Sequence, residues 1–156
     1  MRKIISFLGL VLGLIFISSC SDDEGPQQII INDISGIRID LDWSTGENAS
    51  QAVIDANLDL TIVVADDGSQ AVGISENNGL FEFVSLSSAN VDGDYATLVF
   101  YRTGTVEVTY KIIISGIRST DNPFEITGTF SSDQSGSIFS VADITKKGNQ
   151  FIINLP

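Results

Sequence analysis

The chain contains no histidine and a single cysteine, Cys20, in 156 residues. Without an imidazole there is no Ser–His–Asp triad, no zincin and no His-ligated metal centre. One cysteine makes neither an internal disulfide nor a Cys-ligated zinc cluster. Positive charge is also scarce: 8 Lys and Arg stand against 20 Asp and Glu, for a net charge of −12 and a pI near 4.1. Such a surface repels phosphate backbones, which argues against nucleic acid as a partner. What the chain does have is 43% hydrophobic residues and 14 glycines, at a length that suits one domain.

Apolar residues gather first at the start. Arg2 and Lys3 precede a run from Ile4 to Ile17 broken only by Ser6, Gly9 and Gly13. That run fits the h-region of a signal peptide, about 7–15 residues, and falls short of the roughly 20 needed to span a bilayer as a helix. Residues 1–19 are therefore expected to be a signal that is removed. The sequence that closes it, Ile17-Ser18-Ser19-Cys20, resembles a bacterial lipobox. The resemblance implies that the Cys20 thiol carries diacylglycerol and that cleavage leaves Cys20 as the new N-terminus. Two or more acyl chains anchor a protein stably where one does not. Ser21-Asp22-Asp23-Glu24-Gly25-Pro26 resembles the acidic export signal of Bacteroidota surface lipoproteins. It equally has the composition of a solvated tether. The expected address is the outer membrane, lipid-anchored and facing outward, with the periplasmic face as the alternative. Cleavage before Cys20 discards Arg2 and Lys3 but no acid, leaving 137 residues and 6 basic against 20 acidic side chains, or −14.

Residues 20–28 then read as lipidated cysteine and tether, and 29–156 as one folded domain, large enough for a core without disulfides. Within it, period-2 alternation dominates and no helical stripe appears. Ile37, Ile39, Leu41 and Trp43 alternate with Arg38, Asp40 and Asp42; Leu58, Leu60, Ile62 and Val64 alternate with Asp59 and Thr61. Val106, Val108, Tyr110, Ile112 and Ile114 oppose Thr105, Glu107, Thr109 and Lys111. Phe124, Ile126 and Phe130 oppose Glu125, Thr127 and Thr129, with Gly128 interrupting the apolar row. Turn signals separate these runs: Asp66-Asp67-Gly68-Ser69, Asn77-Asn78-Gly79, Asp92-Gly93-Asp94, Thr103-Gly104 and Lys147-Gly148-Asn149, where Gly and Asn supply the positive φ of tight hairpins. The expectation is an all-β, antiparallel, jelly-roll-like sandwich of nine or ten strands, each with one wet face. Ile34-Ser35-Gly36-Ile37-Arg38 recurs as Ile114-Ser115-Gly116-Ile117-Arg118. The flanks do not match, so this reads as reuse of a strand with a glycine kink in preference to a duplicated half-domain.

The stretches Leu41-Asp42-Trp43, Asp55-Ala56-Asn57-Leu58-Asp59-Leu60, Asp66-Asp67-Gly68, Ser75, Asn77, Glu82-Phe83-Val84-Ser85-Leu86 and Gly93-Asp94-Tyr95 follow one another in an order that resembles bacterial pre-peptidase C-terminal domains and their collagen-binding relatives. Asn57 stands where that family has Asp. The resemblance covers residues 40–114 and implies a sandwich that binds or displays and does not cut. Residues 119–156 extend past that module and are expected to complete the same sandwich.

Acidic side chains are the remaining chemistry. Asp40, Asp42 and Asp59 project from the wet faces of strands that could be neighbours, with Asp55 and Asp66 near strand ends. A solvated acidic face is the default; Ca²⁺ is the one cofactor such a cluster suggests, and no EF-hand loop is present. Glu76, Glu82 or Glu107 could supply a paired-carboxylate hydrolase site, but no serine has an evident activating base. Tyr95 and Tyr101 are candidates to stack on sugar rings, whereas Tyr110 and Trp43 lie in apolar rows and read as core. The functional expectation is a non-catalytic surface lipoprotein whose sandwich binds protein or glycan. The alternatives are a structural subunit of an outer-membrane complex and, behind it, a small hydrolase.

Overall fold

The structure, a computed structural model, describes residues 28–120 and 122–155. The expected signal peptide, Cys20 and the acidic stretch behind it lie outside the described residues.

Ten strands form two antiparallel sheets. In chain order they are β1 (Gln28–Asn32), β2 (Gly36–Ser44), β3 (Ala56–Val64), β4 (Asp67–Ser75), β5 (Phe81–Ser87), β6 (Gly93–Gly104), β7 (Val108–Gly116), β8 (Phe124–Phe130), β9 (Ser137–Lys147) and β10 (Gln150–Asn154). One sheet has six strands in the order β1-β10-β9-β6-β3-β4, the other four in the order β5-β2-β7-β8. The pairs β3–β6, β2–β7 and β1–β10 are nested within one another in sequence, as in a jelly roll. The all-β sandwich is thus present. Gln28, placed in the tether by its sequence neighbourhood, is the first residue of β1 and pairs with Asn154.

The core lies between the sheets and follows the alternation. Ile37, Ile39, Leu41 and Trp43 of β2, Leu58, Leu60 and Ile62 of β3, and Ile112 and Ile114 of β7 are all buried. Phe130 stacks on Tyr110 and Phe139 at centroid distances of 4.5 and 4.7 Å. Gly128 is required beside them: a Cβ there would lie 2.3 Å from the Tyr110 hydroxyl.

Two local expectations change. A short helix, α1 (Ala49–Asp55), precedes β3. Asn48 caps it, its Oδ1 accepting from the Gln51 N–H at 3.1 Å, which is how a polar residue stops an extended chain and starts a helix. Only Ala52 of α1 is buried, so the helix has no apolar stripe for periodicity to detect. The strand expected from Thr105 begins instead at Val108, because residues 105–107 bend away from the ladder.

The repeated pentapeptides meet in space. Gly36 opens β2, Gly116 closes β7, and Ile37 pairs with Gly116 in antiparallel register. Both copies surround Asp33, whose carboxylate accepts main-chain N–H groups from Ser35 at 2.7 Å, Arg118 at 2.7 Å and Ser119 at 2.9 Å. A Cβ on Gly116 would lie 2.7 Å from Asp33 Oδ2. The two glycines occupy opposite ends of their strands, so the copies are not equivalent halves.

Candidate functional site

The outer face of the four-stranded sheet carries exposed aromatic and charged side chains. Alternation on β5 sends Glu82, Val84 and Leu86 inward and leaves Phe81 and Phe83 outward, 42% and 47% exposed. Register then builds rows across the sheet. Phe81 pairs with Asp42, Asp42 with Lys111 and Lys111 with Thr127; Phe83 pairs with Asp40, Asp40 with Ile113 and Ile113 with Glu125.

The aromatic end of these rows is held in place. Asp40 Oδ1 accepts the Arg38 Nε–H at 2.7 Å. The Arg38 guanidinium sits 4.2 Å from the Phe83 ring centre, a cation–π arrangement, and Phe83 stacks on Phe81 at 6.1 Å with their planes 29° apart. The other end opens into a shallow recess of about 490 Å³. Six of the residues lining it point outward: Asp42, Ser44, Thr109, Lys111, Thr127 and Thr129. Lys111 also reaches Glu125 at 3.3 Å, an exposed pair of little energetic weight.

The acids considered for calcium do not converge. β2 and β3 belong to different sheets, so Asp40 and Asp42 lie on the outer side of one sheet while Asp59 lies on the outer side of the other, beneath Arg102. Asp59 is not on a wet face: it is 2% exposed and pairs with Arg102, whose other arm reaches Glu76 at 2.8 Å. The hydrogen bond and charge of Asp59, despite some desolvation, raise the guanidinium pKa further above its usual range. Asp55 ends α1, accepting from Gln51 at 2.7 Å, and Asp66 lies exposed in the β3–β4 turn. Among the described residues no group of three His, Cys, Asp or Glu is placed to hold a metal.

The three glutamates are likewise apart. Glu107 is exposed in the β6–β7 connection, Glu76 is engaged with Arg102, and Glu82 is fully buried between the sheets at the β4–β5 side. Glu82 accepts from the Ser75 hydroxyl and from the Asn77 main-chain and side-chain N–H groups, both at 2.9 Å. Burial pushes its carboxyl above the usual glutamate range, against the pull of those hydrogen bonds, and the charge of Asp59 adds to the rise.

The tyrosines proposed for sugar stacking are core residues. Tyr101 is fully buried and donates to the Val106 carbonyl at 2.8 Å; Tyr95 is buried and donates to the Val91 carbonyl. Tyr110 and Trp43 sit in the core as their apolar rows implied. Among the described residues the exposed aromatics are Phe81 and Phe83 instead. The signal was present: Glu82-Phe83-Val84-Ser85-Leu86 forces Phe83 opposite Val84 and Leu86, and therefore outward.

No family model, curated protein or solved structure matches the chain.

Proposed function

We propose that the chain is a non-catalytic surface lipoprotein. Its signal is removed at Cys20, lipid on Cys20 anchors it in the outer membrane, and its sandwich presents a binding face for protein or glycan. One observation carries the binding reading: Phe81 and Phe83 lie exposed on one sheet face, beside Arg38 and Asp40 and adjoining a shallow recess edged by Asp42, Lys111 and Thr127. Exposed apolar area rimmed by polar groups marks interaction surfaces. The candidate acids serve other ends, Asp59 in an ion pair and Glu82 inside the core, which favours display over cutting.

Metabolic labelling with an alkyne fatty acid tests the anchor. Label is expected on the wild type and absent from Cys20→Ala, and label on both would remove the anchor from this reading. Protease shaving of intact cells distinguishes the outer from the periplasmic leaflet. Binding is tested by presenting the detergent-extracted chain to glycan and protein panels; no binding to either would overturn it.

A structural role in a membrane complex has its own support. On the outer face of the six-stranded sheet, Ile74 and Leu98 both pair with Thr61, and Phe100 pairs with Ile138. Ile74 and Ile138 are 60% and 61% exposed. A chain that stays strictly monomeric in native extracts would count against this role.

A further inference from the structure

We infer that the outer face of the four-stranded sheet binds a neutral glycan chain laid across the strands along the row Phe81–Asp42–Lys111–Thr127, with one sugar ring on Phe81. This rests on the reading of the chain as a binding module and names the class of ligand.

The row has the two-faced chemistry of a sugar. A pyranose offers an apolar C–H face and a rim of hydroxyls that both donate and accept. Phe81 provides an apolar platform, and its orientation is prepared in advance by the stack of Phe83, Arg38 and Asp40 behind it. Such preparation lowers the entropy lost on binding. The next positions carry an acceptor in Asp42, a donor in Lys111 and hydroxyls in Thr127, Thr109, Thr129 and Ser44. The side chains of Asp42 and Thr127 form no hydrogen bond among the described residues, so a ligand would meet groups not already engaged. Four strands at their usual separation give the row a span of about 14 Å, the reach of a short oligosaccharide.

Charge selects against the other ligands. One acid and one base in the row leave it near neutral, while the domain around it is strongly acidic, so a polyanionic glycan is repelled at long range. An extended peptide adding to β5 is also disfavoured. The Phe83 N–H on that strand is taken by the Ser75 hydroxyl at 3.3 Å, which leaves the ladder it would need incomplete.

The full chain, extracted in detergent, is titrated calorimetrically with neutral gluco-, xylo- and manno-oligosaccharides and with oligogalacturonate and heparin fragments. Binding to a neutral member is expected. Phe81→Ala should weaken it about tenfold at an unchanged melting temperature, since Phe81 is outside the core. Asp42→Asn should weaken it as well, with the same control. Binding to acidic fragments alone, or neutral binding indifferent to Phe81→Ala, overturns the inference. A photo-crosslinker at Ser85 separates the two levels of the argument. If no glycan binds but a protein is captured at this face, the glycan inference falls and the binding-module reading stands. If neither is seen, both fall.

Discussion

Asp33 holds Arg118 across 85 positions of sequence, its Oδ2 accepting the Arg118 main-chain N–H at 2.7 Å. The same carboxylate takes the amides of Ser119 and Ser35, tying the β1–β2 connection to the chain leaving β7. Burial works against ionisation here, yet the hydrogen bonds from Ser35, Ser119, Arg118 and Gly36 outweigh it and hold the carboxyl below its ordinary 3.8. Asp33→Ala leaves three amides without their carboxylate partner in a partly buried corner and should cost about 1–3 kcal/mol in urea denaturation. Because the folded value is depressed, the stabilisation is present above pH 3.8 and is lost as pH falls through the lower folded value. A variant as stable as the wild type at neutral pH would show that water replaces the clasp.

Gly36 allows the clasp to form. Its φ is +118°, and a Cβ would lie 2.3 Å from the Leu86 carbonyl oxygen, a backbone atom that cannot swing away. Gly148 also has positive φ, +59°, with nothing within 4 Å of its Cβ position. Gly148→Ala should therefore cost about 1 kcal/mol, the left-handed strain alone. Gly36→Ala should cost about 3 kcal/mol, with the clash added. Equal melting temperatures for the two variants would contradict the close approach at Gly36.

Glu82 makes stability fall as pH rises. Its folded pKa lies above the ordinary 4.5, so between the two values the folded state keeps a proton the unfolded chain has released. Raising pH through that window favours unfolding. The high negative charge acts in the same direction, so the comparison needed is with Glu82→Gln. Gln retains an acceptor for the Asn77 amide and cannot ionise. The stability of Glu82→Gln relative to wild type should grow from pH 4.5 toward neutrality and then level off. A difference that does not vary with pH would mean that Glu82 is solvated in the folded protein.

Calcium should not alter the melting curve. A site at hundredfold excess over its Kd would add about 2.7 kcal/mol, but Asp40 is engaged with Arg38, Asp59 with Arg102, and the two lie on opposite faces. Scans in Ca²⁺ and in EDTA should coincide; separation by several degrees would call for a site elsewhere.

The strand pattern was legible because it depends on neighbours in sequence. Alternation through Ile37–Trp43 and Leu58–Ile62 declares which side chains share a face, and burial followed it. The helix over Ala49–Asp55 was not legible, since one buried alanine makes no period. Nor was the burial of Tyr95 and Tyr101: alternation gives a parity, and only the partner sheet says which parity is inside.

What the sequence by itself determined was the class of fold and the poverty of reactive groups, for both follow from composition and local period. It also supplied the expectation of a lipid on Cys20, which awaits its labelling experiment. Only the tertiary structure decided which residues meet. It separated Asp40 and Asp42 from Asp59, brought the two Ile-Ser-Gly-Ile-Arg segments together around Asp33, and set Phe81 and Phe83 outward beside Arg38. The reason is that strand order and register are long-range choices. They are made by packing two sheets over one core, and no window of neighbouring residues contains them.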